Sequence, residues 1–277
     1  MTFNELLTQF QQKYDAKHDV VFFELVFCLS DLVTTKEKFV QMRSEQIDFK
    51  ERKFWKMCHQ YFKLEKPLAH ITGTTTFCGL TFQVHKKVLA PRENTEQMTK
   101  DFISAHTGKI SAGTVLLDLC CGCGCIGIAI KQYVPQFSVI CVDKYYAPFL
   151  NSHQNARLLE TDLTLDCKDA VKYLNKKTSV DYIISNPPYV NKLNFPDAKK
   201  IMKWERKRSL IAHDGGMYFY NQFLKWLNDH DFKEAWFEIG FDLTETLRVE
   251  MANYPNLQAQ FPAGKHYMIV TKKIVNK

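Results

Sequence analysis

From Thr114 onward, short apolar runs alternate with segments whose apolar residues recur at helical spacing. Such alternation predicts an α/β sheet. Val115 to Leu119 reads as a buried strand, Cys120 to Gly124 as a tight turn of small residues, and Ile126 to Tyr133 as a helix. Ser138 to Asp143 is the next strand and ends in an acid. A helix from Asn151 to Leu159 and a short strand at Leu163 to Leu165 follow. The stretch Val180 to Val190, VDYIISNPPYV, is an apolar run stopped by Pro187 and Pro188. Neither proline has a backbone N–H, so ladder pairing ends there. Asn186 is therefore expected at the carboxyl end of an inner strand, the edge where ligands bind in open α/β sheets. Glu234 to Ile239 reads as a strand, Asp242 to Met251 as a helix, and strands are expected near Leu257 to Phe261 and Tyr267 to Lys272.

Before residue 69 the periodicity is helical throughout. Phe3, Leu6, Leu7, Phe10 and Tyr14 share one spacing, and Phe54, Met57, Cys58, Tyr61 and Phe62 share another. Thr2-x-x-Glu5, Thr34-x-x-Glu37 and Asp48-x-x-Glu51 each have the form of a capping box. No proline precedes Pro67 and no glycine precedes Gly73. Helices this short persist only when packed together, so residues 1–68 are expected to form a bundle of four or five helices. Thr74 to Phe77 and Leu80 to Val84 read as a hairpin within a linking segment, 69–92. Leu89 to Glu96 reads as a loop entering a helix, and residues 93–277 form the larger domain.

Composition changes this picture little. The 277 residues are 45% hydrophobic and 24% charged, ordinary for a globular protein. No apolar run approaches the roughly 20 residues of a membrane helix, and the first residues lack a signal-peptide pattern. Nine cysteines in no framework spacing suggest free thiols and a cytoplasmic location. The net charge of +7 is compatible with RNA, DNA or an acidic protein partner and does not choose among them. Lys199, Lys200, Lys203, Arg206, Lys207 and Arg208 form a basic cluster that serves equally as a partner contact or a solvated face.

The candidate chemistry sits at two places. The Asn186 carboxamide oxygen and the Pro187 carbonyl are neutral acceptors able to bind both hydrogens of a planar –NH2 group. The Asn186 amide nitrogen is then free to donate to the substrate's own carbonyl, and Tyr189 offers a flat packing face. No Lys or Arg lies between Val180 and Asn191, which disfavours a carboxylate or phosphate substrate. The second place is the strand, small-residue turn and helix beginning at Val115, with Asp143 ending the next strand. That is a nucleotide-binding arrangement, in which Asp143 would accept from ribose hydroxyls. The turn lacks both G-x-G-x-x-G and the phosphate-cradling G-x-x-x-x-G-K-[ST], which disfavours a dinucleotide or nucleoside triphosphate. Cys120, Cys121, Cys123 and Cys125 crowd a strand-to-helix turn, where neighbouring thiols close a tetrahedral cage poorly, so no metal is assigned.

Asn-Pro-Pro-Tyr at a strand end resembles the signature of methyltransferases acting on planar –NH2 nitrogens. Asp118-Leu-Cys-Cys-Gly-Cys-Gly resembles the D-x-G-x-G-x-G turn of class I S-adenosylmethionine (SAM) methyltransferases, with Cys120 at the first glycine. PLAHITGTTTFCGLTFQVHKKVLAPRENTE resembles the P-L-x-Y-I-x-G-x-x-x-F-x-G-L-x-F-x-V-x-x-x-V-L-I-P-R-P-E-T-E stretch of the peptide chain release factor glutamine methyltransferases, the HemK/PrmC family. His70, Glu93 and Asn94 depart from it. The segment from Trp204 and Glu205 to Gly216 resembles that family's E-P-x-x-A-L-x-G-G-x-D-G-L region, with Arg206 for Pro and His213 for Gly. Phe237-Glu238-Ile239-Gly240 matches its E-I-G. The resemblance runs over nearly the whole chain, the first helices matching in character alone.

That resemblance implies a Rossmann-like, seven-stranded class I methyltransferase sheet with a small N-terminal helical bundle for substrate recognition. It implies SAM as cofactor, S-adenosylhomocysteine as product, and as substrate the Gly-Gly-Gln glutamine of a class I release factor. Cofactor contacts would come from Asp118, Cys120, Cys121, Gly122, Cys123, Gly124, Asp143, Asp169, Ala170 and Asn186. Catalytic contacts would come from Asn186, Pro187, Pro188 and Tyr189, with Arg92, Thr95 and Glu96 at the mouth. A monomer needing neither nucleic acid nor membrane is expected. The alternatives are a ribosomal-protein glutamine methyltransferase, a DNA adenine N6-methyltransferase and a non-catalytic SAM-binding adaptor.

Overall fold

The central strands owe their form to burial on both faces. In the computed structural model, which describes residues 1–30, 33, 35–46, 50–191 and 203–273, alternate residues of each strand enter two different cores. Leu116, Tyr182, Ile184 and Trp236 join one. Leu117, Leu119, Ile183, Ala235 and Phe237 join the other. Apolar runs without polar alternation are what such a doubly covered sheet requires.

The chain divides into two compact units, Met1–Gly73 and Thr74–Lys277. The first contains α1 (Phe3–Tyr14), α2 (Asp19–Leu29), α3 (Lys36–Met42), α4 (Glu51–Phe62) and α5 (Leu68–Thr72). Their core is aromatic, with Phe10, Phe22 and Phe54 fully buried and in mutual ring contact. The Thr2–Glu5 capping box forms in full. The other two helix starts differ from the expectation. Helix α3 is capped by Thr35, whose hydroxyl accepts from the Lys38 N–H. Helix α4 follows Lys50 with no side-chain cap. Thr34 and Asp48 lie outside the described residues.

The second unit opens with the antiparallel hairpin β1 (Thr74–Phe77) and β2 (Leu80–Gln83). After α6 (Glu93–His106) come β3 (Thr114–Leu119), α7 (Cys125–Tyr133), β4 (Phe137–Asp143), α8 (Tyr146–Leu158), β5 (Thr164–Cys167), α9 (Ala170–Leu174) and β6 (Tyr182–Ser185). Then follow α10 (Tyr218–Asp229), β7 (Glu234–Glu238), α11 (Thr244–Glu250), β8 (Leu257–Gln260) and β9 (Tyr267–Lys272). The seven-stranded sheet has the order β5-β4-β3-β6-β7-β9-β8. Strands β3 to β7 run parallel, and β9 is antiparallel to both its neighbours.

One helix start moves by several residues. Helix α8 begins at Tyr146, five residues before Asn151, and takes Pro148 into its first turn. The N–H that proline lacks is one of the helix-start donors with no intrahelical partner, so the helix tolerates it. The hairpin is stitched to α8 by two buried asparagines. Asn155 Oδ1 accepts from the Gln83 N–H at 2.8 Å, and Asn151 Oδ1 from the His85 N–H at 2.9 Å.

The chain runs from β3 outward to β5 and returns on the other side of β3 at β6. That reversal opens a crevice outside the carboxyl ends of β3 and β6. Helix α7 can approach the sheet there because Gly127 has no side chain. A Cβ on it would lie 2.3 Å from Cys141 Sγ and 3.1 Å from Asp118 Oδ2, both fully buried. Gly127→Ala is expected to lower unfolding stability by about 1–3 kcal/mol. Urea denaturation reads this as a lower midpoint at unchanged slope. Adding Cys141→Ala should relieve part of the loss.

Candidate active site

The turn after β3 begins with a cysteine in left-handed backbone. Cys120 has φ 63°, Gly122 φ 58° and Gly124 φ 81°. Cysteine therefore adopts at position 120 the conformation that glycine adopts freely. The turn is closed by the Gly124 N–H donating to Cys121 O at 2.8 Å, and tied to β4 by the Cys121 N–H donating to Val142 O at 3.1 Å.

Two buried carboxylates hold the turn's remaining donors. Asp118 Oδ2 accepts the Gly127 N–H at 2.9 Å, at the start of α7. Asp143, at the end of β4, accepts the Gly122 N–H on Oδ2 at 3.0 Å and the Tyr145 N–H on Oδ1 at 2.9 Å. Burial pushes the Asp118 carboxyl up to about 7, against the pull of the Gly127 N–H. Burial likewise pushes Asp143 up to about 6, against the Tyr145 and Gly122 N–H groups and the Arg206 charge.

A cleft of about 490 Å³ opens against this turn. Cys120, Gly122, Asp143, Asp169, Ala170, Asn186 and Pro188 line it, with Tyr145, Arg208, His213, Tyr218 and Phe219. A Cβ on Gly122 would meet nothing within 4 Å, so a side chain there would project into open space. Asp169 caps α9 by accepting the Lys172 N–H and pairs with Lys144 at 3.1 Å. Although burial opposes it, these two partners hold its carboxyl below the usual range.

The other predicted residues build the cleft without lining it. Cys121 and Cys123 are buried in the core beside α7, and Asp118 is fully buried. Gly124 lets the turn approach α8, since a Cβ there would lie 2.9 Å from that of Ser152. Pro187 is buried. Tyr189 lines a second cleft of about 400 Å³ with Asn94, Asn191, Gly240, Phe241 and His266.

Asn186 differs from expectation in one respect. Its amide nitrogen donates one of its two hydrogens to Thr95 Oγ1 at 2.9 Å, which turns that end of the carboxamide into the protein. Thr95 in turn donates to Glu238 Oε2, and Tyr189 donates its phenol to Glu238 Oε1 at 3.0 Å. Burial pushes Glu238 up, against the hydrogen bonds from Thr95 and Tyr189, the Arg92 charge and a direct hydrogen bond from the Asn186 amide. Among the three residues expected at the mouth, Thr95 alone touches Asn186. Glu96 turns to the Cys78 N–H and Lys100. Arg92 pairs at 2.7 Å with Glu205, which is fully buried and also accepts the Ala90 N–H. Lys199 and Lys200 of the basic cluster lie outside the described residues, whereas Arg206 sits over the Tyr145 ring.

Among the described residues, no group of three or more His, Cys, Asp or Glu side chains is placed to hold a metal ion. Among the same residues no helix is long and apolar enough to cross a membrane.

The family model "methyltransferase small domain" matches residues 94–219. The hMettl16 catalytic domain, solved in complex with a MAT2A 3′UTR hairpin, superposes with a TM-score of 0.51 at 10% identity. The match covers 81% of this chain and 80% of that one. Sheet order, glycine-rich turn and strand-end motif together define a class I SAM-dependent methyltransferase fold. The release factor glutamine methyltransferase of Clostridium botulinum is 30% identical over 203 residues, 66% of this chain and 68% of that protein. That of Flavobacterium psychrophilum is 31% identical over 172 residues, 61% of this chain and 60% of that protein. The chain belongs to the release factor glutamine methyltransferase family.

Ionisation of the two carboxyls carries a stability signature. Their folded values, about 7 and about 6, stand above the ordinary 3.8. Between those limits the folded protein holds more protons than the unfolded chain, so stability falls as pH rises through the window. Urea denaturation from about pH 5 to about pH 7 is expected to show this fall, and Asp118→Asn to flatten it.

Proposed function

We propose that this protein transfers the methyl group of SAM to the side-chain amide nitrogen of the glutamine in the Gly-Gly-Gln motif of class I peptide chain release factors. The observation that carries this reading is a pair of neutral acceptors at the end of β6, beside a cleft suited to the cofactor, in a chain whose relatives bear that name.

The residues present fit SAM. Gly122 leaves space where a side chain would intrude. Asp143 receives one backbone N–H on each oxygen and keeps lone pairs for two ribose hydroxyls. Cys120, Asp169, Ala170 and Asn186 supply further walls. When bound, SAM supplies an electrophilic methyl group on a sulfonium.

The chain's own task is orientation. An amide nitrogen is a poor nucleophile because its lone pair is delocalised. Asn186 Oδ1 and the Pro187 carbonyl each accept one of its hydrogens, fix its plane and favour charge on nitrogen as it pyramidalises. These are preorganised dipoles aimed at the reacting atom, together with positioning. The Tyr189 ring packs beside the amide. The proton leaves after transfer and passes to water.

Residues 1–68 serve in recognition of the release factor, and the reaction, in the cytoplasm, needs neither nucleic acid nor a second copy of the chain.

Incubation of the protein with SAM and a purified class I release factor, followed by peptide mass spectrometry, should add one methyl group to the Gly-Gly-Gln glutamine. Asn186→Ala is expected to lower turnover by roughly 10²–10³-fold, by analogy with the loss of an oxyanion-hole donor. SAM affinity should fall far less. Equal loss of both would remove Asn186 from the substrate side, and methyl transfer to another macromolecule would move the substrate.

A further inference from the structure

The hydrogen bonds behind Asn186 have a direction, and that direction selects which end of its carboxamide faces the cleft. A carboxylate only accepts. Thr95 has one hydroxyl proton, and it goes to Glu238 Oε2. The Thr95 oxygen then has only lone pairs to offer its neighbour. Asn186 meets it with Nδ2, at 2.9 Å. Flipping the amide would set two acceptors against each other with no proton between them. Nδ2 is therefore turned inward, with one hydrogen on Thr95 and the other side of the nitrogen toward Glu238, and Oδ1 is turned toward the cleft that Asn186 lines.

We propose that Thr95 and Glu238 are positioning residues for methyl transfer: their one-way chain of hydrogen bonds fixes Asn186 as an acceptor and so selects a hydrogen-bearing nitrogen as substrate. This rests on the assignment of Asn186 Oδ1 to the target amide. The three groups come from the first turn of α6, the end of β7 and the end of β6. The same carboxylate holds Tyr189 through Oε1. The Tyr220 phenol donates to the Glu238 backbone carbonyl at 2.7 Å and fixes the strand end. Thr95 and Glu238 are 3% and 2% exposed, so water does not compete for these bonds. A purely structural strut would need the carboxylate's partners but would be indifferent to the direction of the proton between Thr95 and Asn186.

Thr95→Val keeps the shape of the side chain and deletes both hydrogen bonds. Thr95→Ser keeps both. Full-length variants are compared in three measurements: methyl transfer to a class I release factor, SAM binding by calorimetry, and the side-chain 1H–15N resonances of Asn186, assigned by their loss in Asn186→Asp. Thr95→Val is expected to lower kcat on the order of 10- to 100-fold. Its KM and Kd for SAM should stay within about threefold, since the interaction lost acts on the reacting nitrogen. Thr95→Ser should recover most of the turnover, and the Asn186 resonances should shift in the Val variant alone. Should Thr95→Val fail to fold, Glu238→Gln reads the same chain, because an amide cannot accept from both Thr95 and Tyr189 as the carboxylate does.

Undiminished turnover in Thr95→Val overturns the relay. So does an equal loss in the Ser and Val variants that tracks their melting temperatures, or an Asn186 resonance that does not move. A wild type inert toward release factors, with Asn186 resonances that still respond to Thr95→Val, would sustain the relay and refute the proposed substrate.

Discussion

A carboxylate removed from water draws on whatever donors its surroundings offer, and three buried carboxylates stand where the parallel strands end. One of them, Asp118, is held through one oxygen only, since its Oδ1 has no partner among the described residues. Asp118, Asp143 and Glu238 are each 9% exposed or less. Each gathers donors from loops that would otherwise be free to move. Asp118 holds the start of α7, Asp143 holds both Gly122 and Tyr145, and Glu238 holds Thr95 and Tyr189. An unpaired buried charge costs several kcal/mol, so these loops have little freedom to let go. The cleft is in this sense built from its acids outward: strand ends fix the carboxylates, and the carboxylates fix the turns.

The same logic accounts for Cys120. A non-glycine residue in left-handed backbone costs on the order of 1–3 kcal/mol and persists only where its surroundings over-determine it. Here the flanking residues are committed on both sides. The Leu119 carbonyl accepts from Ser185, and the Cys121 and Gly122 N–H groups are taken by Val142 and Asp143. With the chain held before and after, position 120 has one conformation open to it. Its side chain packs against the core beneath β3 and β6. The glycine that related turns use is thus replaced at a cost the neighbouring hydrogen bonds offset, and the cleft face of the turn stays small at Gly122.

The sheet was legible in the sequence because strands buried on both faces are mostly apolar at successive positions and so appear as apolar runs, Asp118 being an exception in β3. The NPPY stop was legible because two prolines forbid pairing whatever surrounds them. Asp143 was legible from its place at the end of a strand after a small-residue turn. Helix boundaries were less so. Thr34 and Thr35 are adjacent and either can cap a helix starting near Lys36, and the structure uses Thr35. Pro148 reads as a breaker yet lies where a helix needs no donor. What spacing cannot carry is pairing across the chain. Glu205 reaches back to Arg92 and Ala90, and Glu238 to Thr95, and nothing local to either acid announces its partner. The E-I-G match marked Glu238 but gave it no task. The inward partner of the Asn186 amide nitrogen was illegible for the same reason: it lies 91 residues away in sequence.

That inward bond bears on the chemistry. An asparagine with both ends free is a neutral, two-sided reader and would suit a carbonyl as well as an amine. An asparagine whose nitrogen is turned inward offers its oxygen first. Beside it stands the Pro187 carbonyl, which can likewise only accept. Two fixed acceptors at a strand end repel a carboxylate or a phosphate and have nothing to offer a bare carbonyl. They match a group that carries two hydrogens in one plane. On the proposed reading, a restriction to –NH2 nitrogen comes from the direction of hydrogen bonds inside the protein, and a buried acid behind the cleft sets that direction.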